Sequence, residues 1–357
     1  MTHLVTLIPG DGIGPEVADA ARRVLDAAHV DLEWIERPAG ASALETHGAL
    51  LPEETVDAIR ACRVAIKGPI TTPVGMGFRS VNVALRQDLD LFAAVRPARA
   101  HPGVPVHHPG VDLVVIRENT EDLYQGVEFA AGSPEAAALR RELRELAGFE
   151  VPDSAGITVK PISVTGTERI VRFAFEYARS HGRRAITVGH KATIMRYSDG
   201  VFVRTAERAA SDEVTRGDIA YAEVQIDHLS MSLALDPEAF DVLLLPNLYG
   251  DILSDLCAGL VGGLGLIPGA NIGWEYAVFE PVHGSAPDIA GRGLANPIAM
   301  ILSGAMMLRH LGERAAAERV ERAVDRVLES GEPRTRDLGG TASTDEVATA
   351  IARLVAG

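Results

Sequence analysis

Short apolar runs alternate along the chain with longer segments whose apolar residues recur at helical spacing. Near the N-terminus, apolar runs at residues 4–8 and 32–35 each precede a helical pattern, the first over about 15–28 and the second over about 52–61. Further strand-like runs follow at residues 64–66, 113–116, 185–188, 242–245 and 276–279. Such alternation is typical of an α/β protein with a largely parallel sheet.

Segments between these elements differ from them in composition. Residues 99–110 are rich in Pro, Gly and His, which predicts a link between two lobes. Residues 133–146 predict a charged, Ala-rich helix bounded by Gly and Pro, and this helix is an appendage rather than core. Residues 313–329 predict an amphipathic surface helix, because its valines fall on one face and its Glu and Arg residues on the other.

The composition narrows the class of protein. The 357 residues suffice for about two domains, and the 47% hydrophobic and 23% charged residues are typical of a folded globular protein. A net charge of −15 argues against binding to nucleic acids or to anionic membranes. Cys62 and Cys257 lie in apolar runs and are expected to be buried free thiols. Since no signal peptide and no long apolar stretch is visible, we predict a cytoplasmic protein.

Three arginines are candidates for binding an anionic substrate. Arg86 and Arg96 are ten residues apart, and Arg117 lies beyond the link segment. A guanidinium group is a planar fork that suits a carboxylate, so three together could hold a di- or tricarboxylate in an otherwise acidic protein. Any one of them alone is better interpreted as a surface residue or part of an ion pair, so the prediction depends on all three sharing a neighbourhood with the carboxylates.

Carboxylates and two proton-carrying side chains supply candidate chemistry. Asp251 and Asp255 share one face of a predicted helix, and oxygen ligands of this kind suit Mg²⁺ or Mn²⁺, although a pair at a helix N-terminus could also be structural. Asp227, at a predicted strand end, could be a third ligand if the fold brings it near. Tyr124 and Lys191 each follow a predicted strand and could transfer protons.

Two Gly-rich segments could approach a nucleotide. Residues 10–15 follow a strand and open a helix, but Pro15 departs from the dinucleotide fingerprint, so we interpret them as a tight structural turn. Residues 279–291 are rich in small residues with available backbone N–H groups, which can contact phosphates. There Asp288 could bind a ribose 2′-hydroxyl and would repel a 2′-phosphate. A plain connecting loop is the structural alternative.

Taken together, these segments resemble the isocitrate and isopropylmalate dehydrogenase family of β-decarboxylating dehydrogenases. The motifs occur in family order at residues 79–86, 117–124, 247–255, 268–273 and 280–291. The resemblance implies a non-Rossmann α/β fold with large and small lobes around a mixed sheet. The large lobe would be residues 1–95 and 262–357, the small lobe 96–122 and 164–261, and a clasp-like insertion 123–163. It also implies a homodimer whose active sites take residues from both subunits.

The family's residue roles fall on matching positions of this chain. Lys191 would accept a proton from the substrate hydroxyl and Tyr124 would protonate the resulting enol, while Asp251, Asp255 and the neighbouring subunit's Asp227 would hold Mg²⁺ or Mn²⁺. The implied substrate-binding residues are Ser80, Asn82, Arg86, Arg96 and Arg117. The implied NAD-binding residues are Thr72, Asn82, Glu280, His283, Gly284, Ser285, Ala286, Asp288, Ile289 and Asn296.

The resemblance also bears on specificity. Ser80 and Asn82 offer polar groups to a γ-carboxylate, which favours isocitrate, although homoisocitrate, isopropylmalate or a phosphonomethylmalate stay open. NADP-preferring relatives carry Lys-Tyr where this chain has Asp288 and Ile289, which favours NAD, whereas Arg336 lies where the NADP type contacts phosphate. Met76, His228 and Ser232 depart from the family's pattern. A non-catalytic regulatory subunit and a plain nucleotide-binding module are the rival functions.

Overall fold

The computed structural model describes residues 2–71, 80–212 and 217–357. Its strands are β1 His3–Ile8, β2 Leu32–Glu36, β3 Val64–Lys67, β4 Ala93–Arg99, β5 Asp112–Glu118, β6 Glu128–Phe129, β7 Ile157–Thr158, β8 Ala185–His190, β9 Ala220–Gln225, β10 Val242–Leu245, β11 Pro268–Ile272 and β12 Ala277–Pro281. Its α-helices are α1 Gly14–Asp26, α2 Ala41–His47, α3 Glu53–Cys62, α4 Val81–Asp88, α5 Pro134–Ala147, α6 Val164–Ser180, α7 Asp199–Ser211, α8 Ile226–Leu235, α9 Asn247–Leu260, α10 Ile298–His310, α11 Arg314–Ser330 and α12 Thr344–Ala356.

Ten of these strands form one mixed sheet in the order β2-β1-β3-β12-β11-β4-β5-β10-β8-β9. The outer strands run parallel within each flank, but β11 and β4 pair antiparallel with each other and with their neighbours at the centre. The expectation of a largely parallel sheet therefore holds only for the flanks. The centre differs because the segment after β4 turns the chain back, so that Arg99 pairs with Asp112 at the start of β5.

The α/β class and the mixed sheet that the resemblance implies are confirmed. Residues from both chain ends share one core, in which α1, α10, α11 and α12 cover one flank of the sheet. Residues of the middle of the chain form a separate core around β5, β8 and β10 with α6 and α7. Burying each large aliphatic side chain in such a core contributes about 1.5–3 kcal/mol. The lobe and clasp boundaries drawn from the sequence stay predictions.

Local sequence explains where helices begin. Pro15 lies in the first turn of α1, where its missing N–H costs nothing, and Glu16 complements the helix dipole there. Ser343 and Glu346 close a reciprocal capping box at the start of α12. The predicted surface helix is α11, with Val320, Val324 and Val327 buried as expected.

Other predictions concerned the two cysteines, the inserted segment and the absence of a membrane-spanning helix. Cys257 is a buried free thiol, but Cys62 is only half-buried, because it is the last residue of α3, where the chain turns at the surface. Within 123–163, β6 and β7 form a separate two-stranded antiparallel sheet, and Leu146 and Phe149 are exposed. Among the described residues, none of the helices is long and apolar enough to cross a membrane.

Candidate active site

The sheet centre brings two of the three candidate arginines onto neighbouring strands. Arg117 lies near the end of β5 and pairs with Ala94 of β4. Arg96 lies on the same strand β4, two residues after Ala94. Arg86 lies in the last turn of α4, just before β4. The strand β10 pairs with β5 and leads directly into α9, so it delivers the carboxylates of that helix to the same place.

Arg117 is the centre of this cluster. Its Nη1 donates a very short hydrogen bond to Asp251 Oδ1, and its Nε donates to Asn247 Oδ1 at 2.9 Å. Arg96 Nη1 donates to Ser254 Oγ at 2.5 Å and lies 3.4 Å from Asp251 Oδ1 and 3.9 Å from Asp255 Oδ1. Three guanidinium groups and two carboxylates therefore share one neighbourhood, as the sequence predicted.

Two buried polar atoms of this site have no hydrogen-bond partner. Arg117 is 1% exposed, and its Nη2 has no hydrogen-bond partner. Burial lowers the pKa of Arg117 to about 10, and the nearby charges of Arg86 and Arg96 contribute. Asn82 Oδ1 is also buried without a partner. Unpaired buried polar groups are costly, so this site is suited to an anionic, hydrogen-bonding ligand.

Asp251 and Asp255 lie on one face of α9, in its second and third turns. The helix begins at Asn247, so the pair is not an N-terminal dipole pair. Burial opposes ionisation of Asp251, but Arg117, Tyr124 and Arg96 hold its pKa below the usual range. Burial raises the pKa of Asp255. Two adjacent carboxylates are a donor set that fits Mg²⁺ or Mn²⁺ and leaves room for further oxygen ligands.

Tyr124 faces this carboxylate pair. Its hydroxyl donates to Asp251 Oδ2 at 2.5 Å, and the Arg117 guanidinium carbon lies 4.7 Å from its ring centre. Burial and the hydrogen bond to Asp251 raise the pKa of Tyr124. Its phenol therefore keeps its proton near neutral pH and can donate it.

Lys191 and Asp227 contact each other rather than this cluster. Lys191 follows β8, and its Nζ lies 2.5 Å from Asp227 Oδ1. Asp227 is not at a strand end, because β9 ends at Gln225 and Asp227 lies in the first turn of α8. Within the parts of the chain that the structure describes, no three His, Cys, Asp or Glu side chains form a metal site.

A buried polar network beside the arginines was not predicted from the sequence. Lys67, the last residue of β3, forms an ion pair with Glu280 at 2.6 Å. Asn271 Nδ2 donates to Glu280 at 2.6 Å, and Asn271 Oδ1 accepts from Asn119 at 2.9 Å and from Arg86 Nε at 3.2 Å. A lysine that ends an apolar strand was the only local signal for this network, since its partners come from distant segments.

Lys67, Asn271 and Glu280 of the network line a cavity of about 130 Å³ together with Arg86 and Arg96. Burial alone would raise the pKa of Glu280, but Lys67 and Arg86 lower it to about 2. Its carboxylate is therefore ionised and buried against cations. The side chains that line the cavity include Lys67, Asn82, Arg86, Arg96, Asn271, Glu280 and His283.

The loop predicted to bind a nucleotide borders a second cavity of about 490 Å³, which is within the usual size of ligand pockets. Predicted NAD-binding residues on its lining are His283, Gly284, Ala286, Ile289 and Asn296. His283 and Gly284 line both cavities. Burial lowers the pKa of His283, and its Nε2 has no partner. This orphaned imidazole and the apolar walls fit a nucleotide cofactor.

Other predicted cofactor residues lie outside this lining. Ser285 is buried and pairs with Thr71, their hydroxyl oxygens lying 2.5 Å apart, while Asp288 is exposed on the loop beyond it. Arg336, by contrast, is part of the lining of this second cavity.

The predicted substrate-binding residue Ser80 precedes α4, and its side chain does not cap the helix. Thr72, Met76 and Arg79 fall outside the described residues.

The turn at residues 10–15 supports this loop, in line with its structural interpretation. Ile13 N donates to Ser285 O at 2.9 Å, and the Asp11 carboxylate accepts from the backbone of Ala41, Ser42 and Thr71. Gly12 has a φ of 61°, and a Cβ there would overlap the Ser285 carbonyl. The turn therefore fixes the backbone of the candidate cofactor loop.

A cavity lined by Arg86 and Arg96, with two carboxylates against Arg96 and a nucleotide-sized pocket next to it, is typical of a small-molecule enzyme. The chain belongs to the isocitrate/isopropylmalate dehydrogenase family, whose model matches residues 4–351. It is an oxidoreductase of that family, as the resemblance implied.

Individual relatives cover nearly the whole chain. The crystal structure of isocitrate dehydrogenase from Methylococcus capsulatus superposes with a TM-score of 0.91 at 47% identity and covers 100% of both chains. The isocitrate/homoisocitrate dehydrogenase of Thermus thermophilus is 47% identical over 98% of each chain. Catalytic subunit 5 of the mitochondrial NAD isocitrate dehydrogenase of Arabidopsis thaliana is 44% identical, with 97% of this chain and 87% of the relative covered.

Proposed function

We propose that the chain catalyses the oxidative decarboxylation of D-isocitrate to 2-oxoglutarate with NAD and Mg²⁺ or Mn²⁺, as a homodimer with shared active sites. The observation that carries the proposal is the convergence of Arg86, Arg96 and Arg117 with Asp251 and Asp255 in one cluster, of which Arg86 and Arg96 line the cavity. The names of relatives agree, because they include NAD isocitrate dehydrogenases.

The site residues divide the work of binding and proton transfer. The three arginines bind the carboxylates of the malate core, since a guanidinium group matches a carboxylate in shape and charge. Asp251 and Asp255, with Asp227 of a second copy, hold the metal. When bound, the metal would supply Lewis-acid chemistry at the substrate oxygens and NAD would accept the hydride. Lys191 of the second copy accepts the hydroxyl proton, and Tyr124 returns a proton to carbon after CO₂ leaves.

The polar substituent is the basis for preferring isocitrate. Ser80, whose hydroxyl caps no helix, and Asn82, through its amide Nδ2–H, can donate hydrogen bonds to a γ-carboxylate. A site built for hydrogen bonds rejects an apolar substituent, because its own polar groups are then left unpaired. Homoisocitrate is the second candidate, since the Thermus thermophilus relative is named for both substrates.

A substrate panel tests the proposal. The purified chain is assayed alone with Mn²⁺ and NAD on isocitrate, homoisocitrate, isopropylmalate, tartrate and phosphonomethylmalate. We expect the highest kcat/KM for isocitrate and loss of activity with a chelator. Equal turnover of isocitrate and isopropylmalate would contradict the assignment of the substrate. No turnover of any substrate by the chain alone would favour a regulatory subunit.

The preference for NAD has its own test. Asp288 is exposed on the cofactor loop and would repel a 2′-phosphate. We expect NAD to have the higher kcat/KM, and the double variant Asp288→Lys/Ile289→Tyr to shift the NADP-to-NAD ratio upward by about tenfold or more, since each ~1.4 kcal/mol is a factor of ten. A wild-type preference for NADP would assign the deciding role to Arg336 instead.

A further inference from the structure

A half-buried lysine outside the substrate cavity, Lys160, lies near the end of the segment 123–163. Lys160 Nζ donates to Asp199 Oδ1 at 2.6 Å and lies 3.8 Å from Asp122 Oδ1. The ammonium group also lies 4.7 Å from the ring centre of Tyr249. Asp199 is 0% exposed and Asp122 1% exposed. Charges buried this deeply are costly unless each is closely paired, so the cluster has a strongly preferred geometry.

Asp199 connects this cluster to the backbone of Lys191. Its Oδ2 accepts the Lys191 backbone N–H at 2.7 Å and the Tyr249 hydroxyl at 3.1 Å. The carboxylate thus holds the first residue after β8, while the Lys191 side chain extends to Asp227. In the described parts of the chain, Asp199 is the side chain that accepts this N–H, so its carboxylate anchors the backbone of Lys191.

The opposite side of the cluster is fixed to the start of α9. Asp122 Oδ2 accepts the Leu248 N–H at 2.9 Å, and Asn247 Nδ2 donates to the Glu121 carbonyl at 3.0 Å. The helix that presents the two candidate metal-binding carboxylates therefore serves as a rigid support. The loop of Lys191 is held against this support through Tyr249 and Lys160.

We propose that Lys160, Asp199 and Tyr249 form a positioning cluster that sets the placement of Lys191. The inference rests on the proposed function, in which Lys191 accepts the substrate's hydroxyl proton. A proton acceptor on a long side chain needs a fixed backbone origin, because a misplacement of about 1 Å can cost on the order of 10²-fold in rate. Since Lys191 serves the second copy's site, the cluster of one chain acts on the active site of the other.

Single variants separate positioning from folding. We expect Lys160→Met to lower kcat by about 10–100-fold and to change KM for isocitrate less than about twofold, because the arginines that bind substrate lie on other elements. Lys160→Arg keeps the charge and should restore most of the rate. Tyr249→Phe keeps the ring under the ammonium group and removes one hydrogen bond to Asp199, so its loss of kcat should be smaller than that of Lys160→Met.

The matched control lies on the same helix as Asp199. Arg208 of α7 pairs with Glu168 at 2.5 Å on an exposed face, so Arg208→Met removes a cation without touching the cluster. We expect its kcat to equal that of the wild type. Wild-type kcat in Lys160→Met would overturn the inference, as would a rise in KM with unchanged kcat.

Hydrogen exchange gives a readout that does not depend on turnover. The Lys191 N–H is protected by Asp199 in the wild type, and we expect a peptide covering residues 189–195 to exchange faster in Lys160→Met and unchanged in Arg208→Met. Unchanged exchange in Lys160→Met would refute the positioning role whatever the substrate is. A wild type that oxidises no substrate of the panel while this exchange difference is present would instead refute the proposed function.

Mixed dimers test whether the cluster acts on the neighbouring site. One dimer pairs an Asp251→Asn/Lys160→Met chain with a wild-type chain, and the other pairs an Asp251→Asn chain with a Lys160→Met chain. Only the site without Asp251→Asn is active in either dimer. We expect the first dimer to be slow, since its active site receives Lys191 from the chain without Lys160, and the second to have the wild-type rate per active site. The reverse order, or equal rates, would refute action across the dimer.

Discussion

At the scale of single residues, the candidate site concentrates cationic side chains, although the whole chain has a net charge of −15. Lys67, Arg86, Arg96 and Arg117 are each held against a carboxylate of their own chain. Such pairs keep the guanidinium and ammonium groups oriented in the absence of substrate, and a buried pair that loses one member leaves an uncompensated charge. The local field near the cavity can therefore favour an anion although the whole molecule is acidic.

Replacing Lys67 tests how much its ion pair with Glu280 contributes to the stability of the fold. We expect Lys67→Met to lower the free energy of unfolding by about 3–5 kcal/mol, because it leaves a buried carboxylate without its cation. Denaturant unfolding at neutral pH measures the change. The double variant Lys67→Met/Glu280→Gln should recover at least half of the loss. A single variant as stable as the wild type would contradict the buried ion pair.

The pH dependence of stability follows from the same carboxylate. Burial opposes ionisation of Glu280, but Lys67 and Arg86 lower its pKa from 4.5 to about 2 in the folded chain. The unfolded chain therefore binds a proton before the folded chain does, so this stabilisation is complete above about pH 4.5 and is lost as the pH falls towards 2. In Glu280→Gln, the fall in stability over that range should be smaller than in the wild type.

At the scale of elements, apolar periodicity predicts seven of the twelve described strands and fewer than half of the described α-helices, each to within a few residues. The pattern at 242–245 is strand β10, and the surface pattern at 313–329 is α11. Spacing also places Asp251 and Asp255 on one helical face. It cannot show that Asn271 and Lys67 contact Glu280 or that Asn119 contacts Asn271, because these hydrogen bonds join distant segments and none has a local signature. The start of α8 was missed because Ile226, its first residue, continues the alternation of apolar residues in β9.

The contact between the turn at residues 10–15 and the cofactor loop gives an element-scale prediction. Gly12→Ala adds a Cβ that overlaps the Ser285 carbonyl, so the loop must move. We expect KM for NAD to rise on the order of tenfold, the factor for about 1.4 kcal/mol, with little change in KM for isocitrate. Gly48→Ala is the matched control, because Gly48 also has a positive φ, 73°, and a Cβ there meets nothing within 4 Å. Equal effects of Gly12→Ala and Gly48→Ala on the KM for NAD would contradict the role of the turn in fixing the cofactor loop.

At the scale of the whole molecule, the candidate site is divided within the chain. Asp251 and Asp255 are at the arginine cluster, whereas Asp227 and Lys191 pair with each other on separate elements. Asp227 is exposed, and so are Leu146 and Phe149 of the segment 123–163. An exposed candidate metal ligand and exposed apolar side chains elsewhere on the chain agree with the proposal of a site completed by a second copy. The sequence alone predicted this division only through the family resemblance.

Complementation between two inactive chains tests this shared site. Asp227→Asn and Asp251→Asn should each abolish activity alone, since each removes a metal-binding carboxylate from every site. In a mixed dimer, the site built on the Asp227→Asn chain has its own Asp251 and receives Asp227 from its neighbour, so it is intact. After unfolding and refolding an equal mixture, about half of the dimers are mixed and each has one intact site, which restores roughly a quarter of wild-type activity. A mixture of Asp251→Asn with Asp255→Asn should stay inactive, because both residues belong to the same half of the site and every site then lacks one of them. Restoration in that control, or none in the first mixture, would mean that Asp227 is not shared across the dimer.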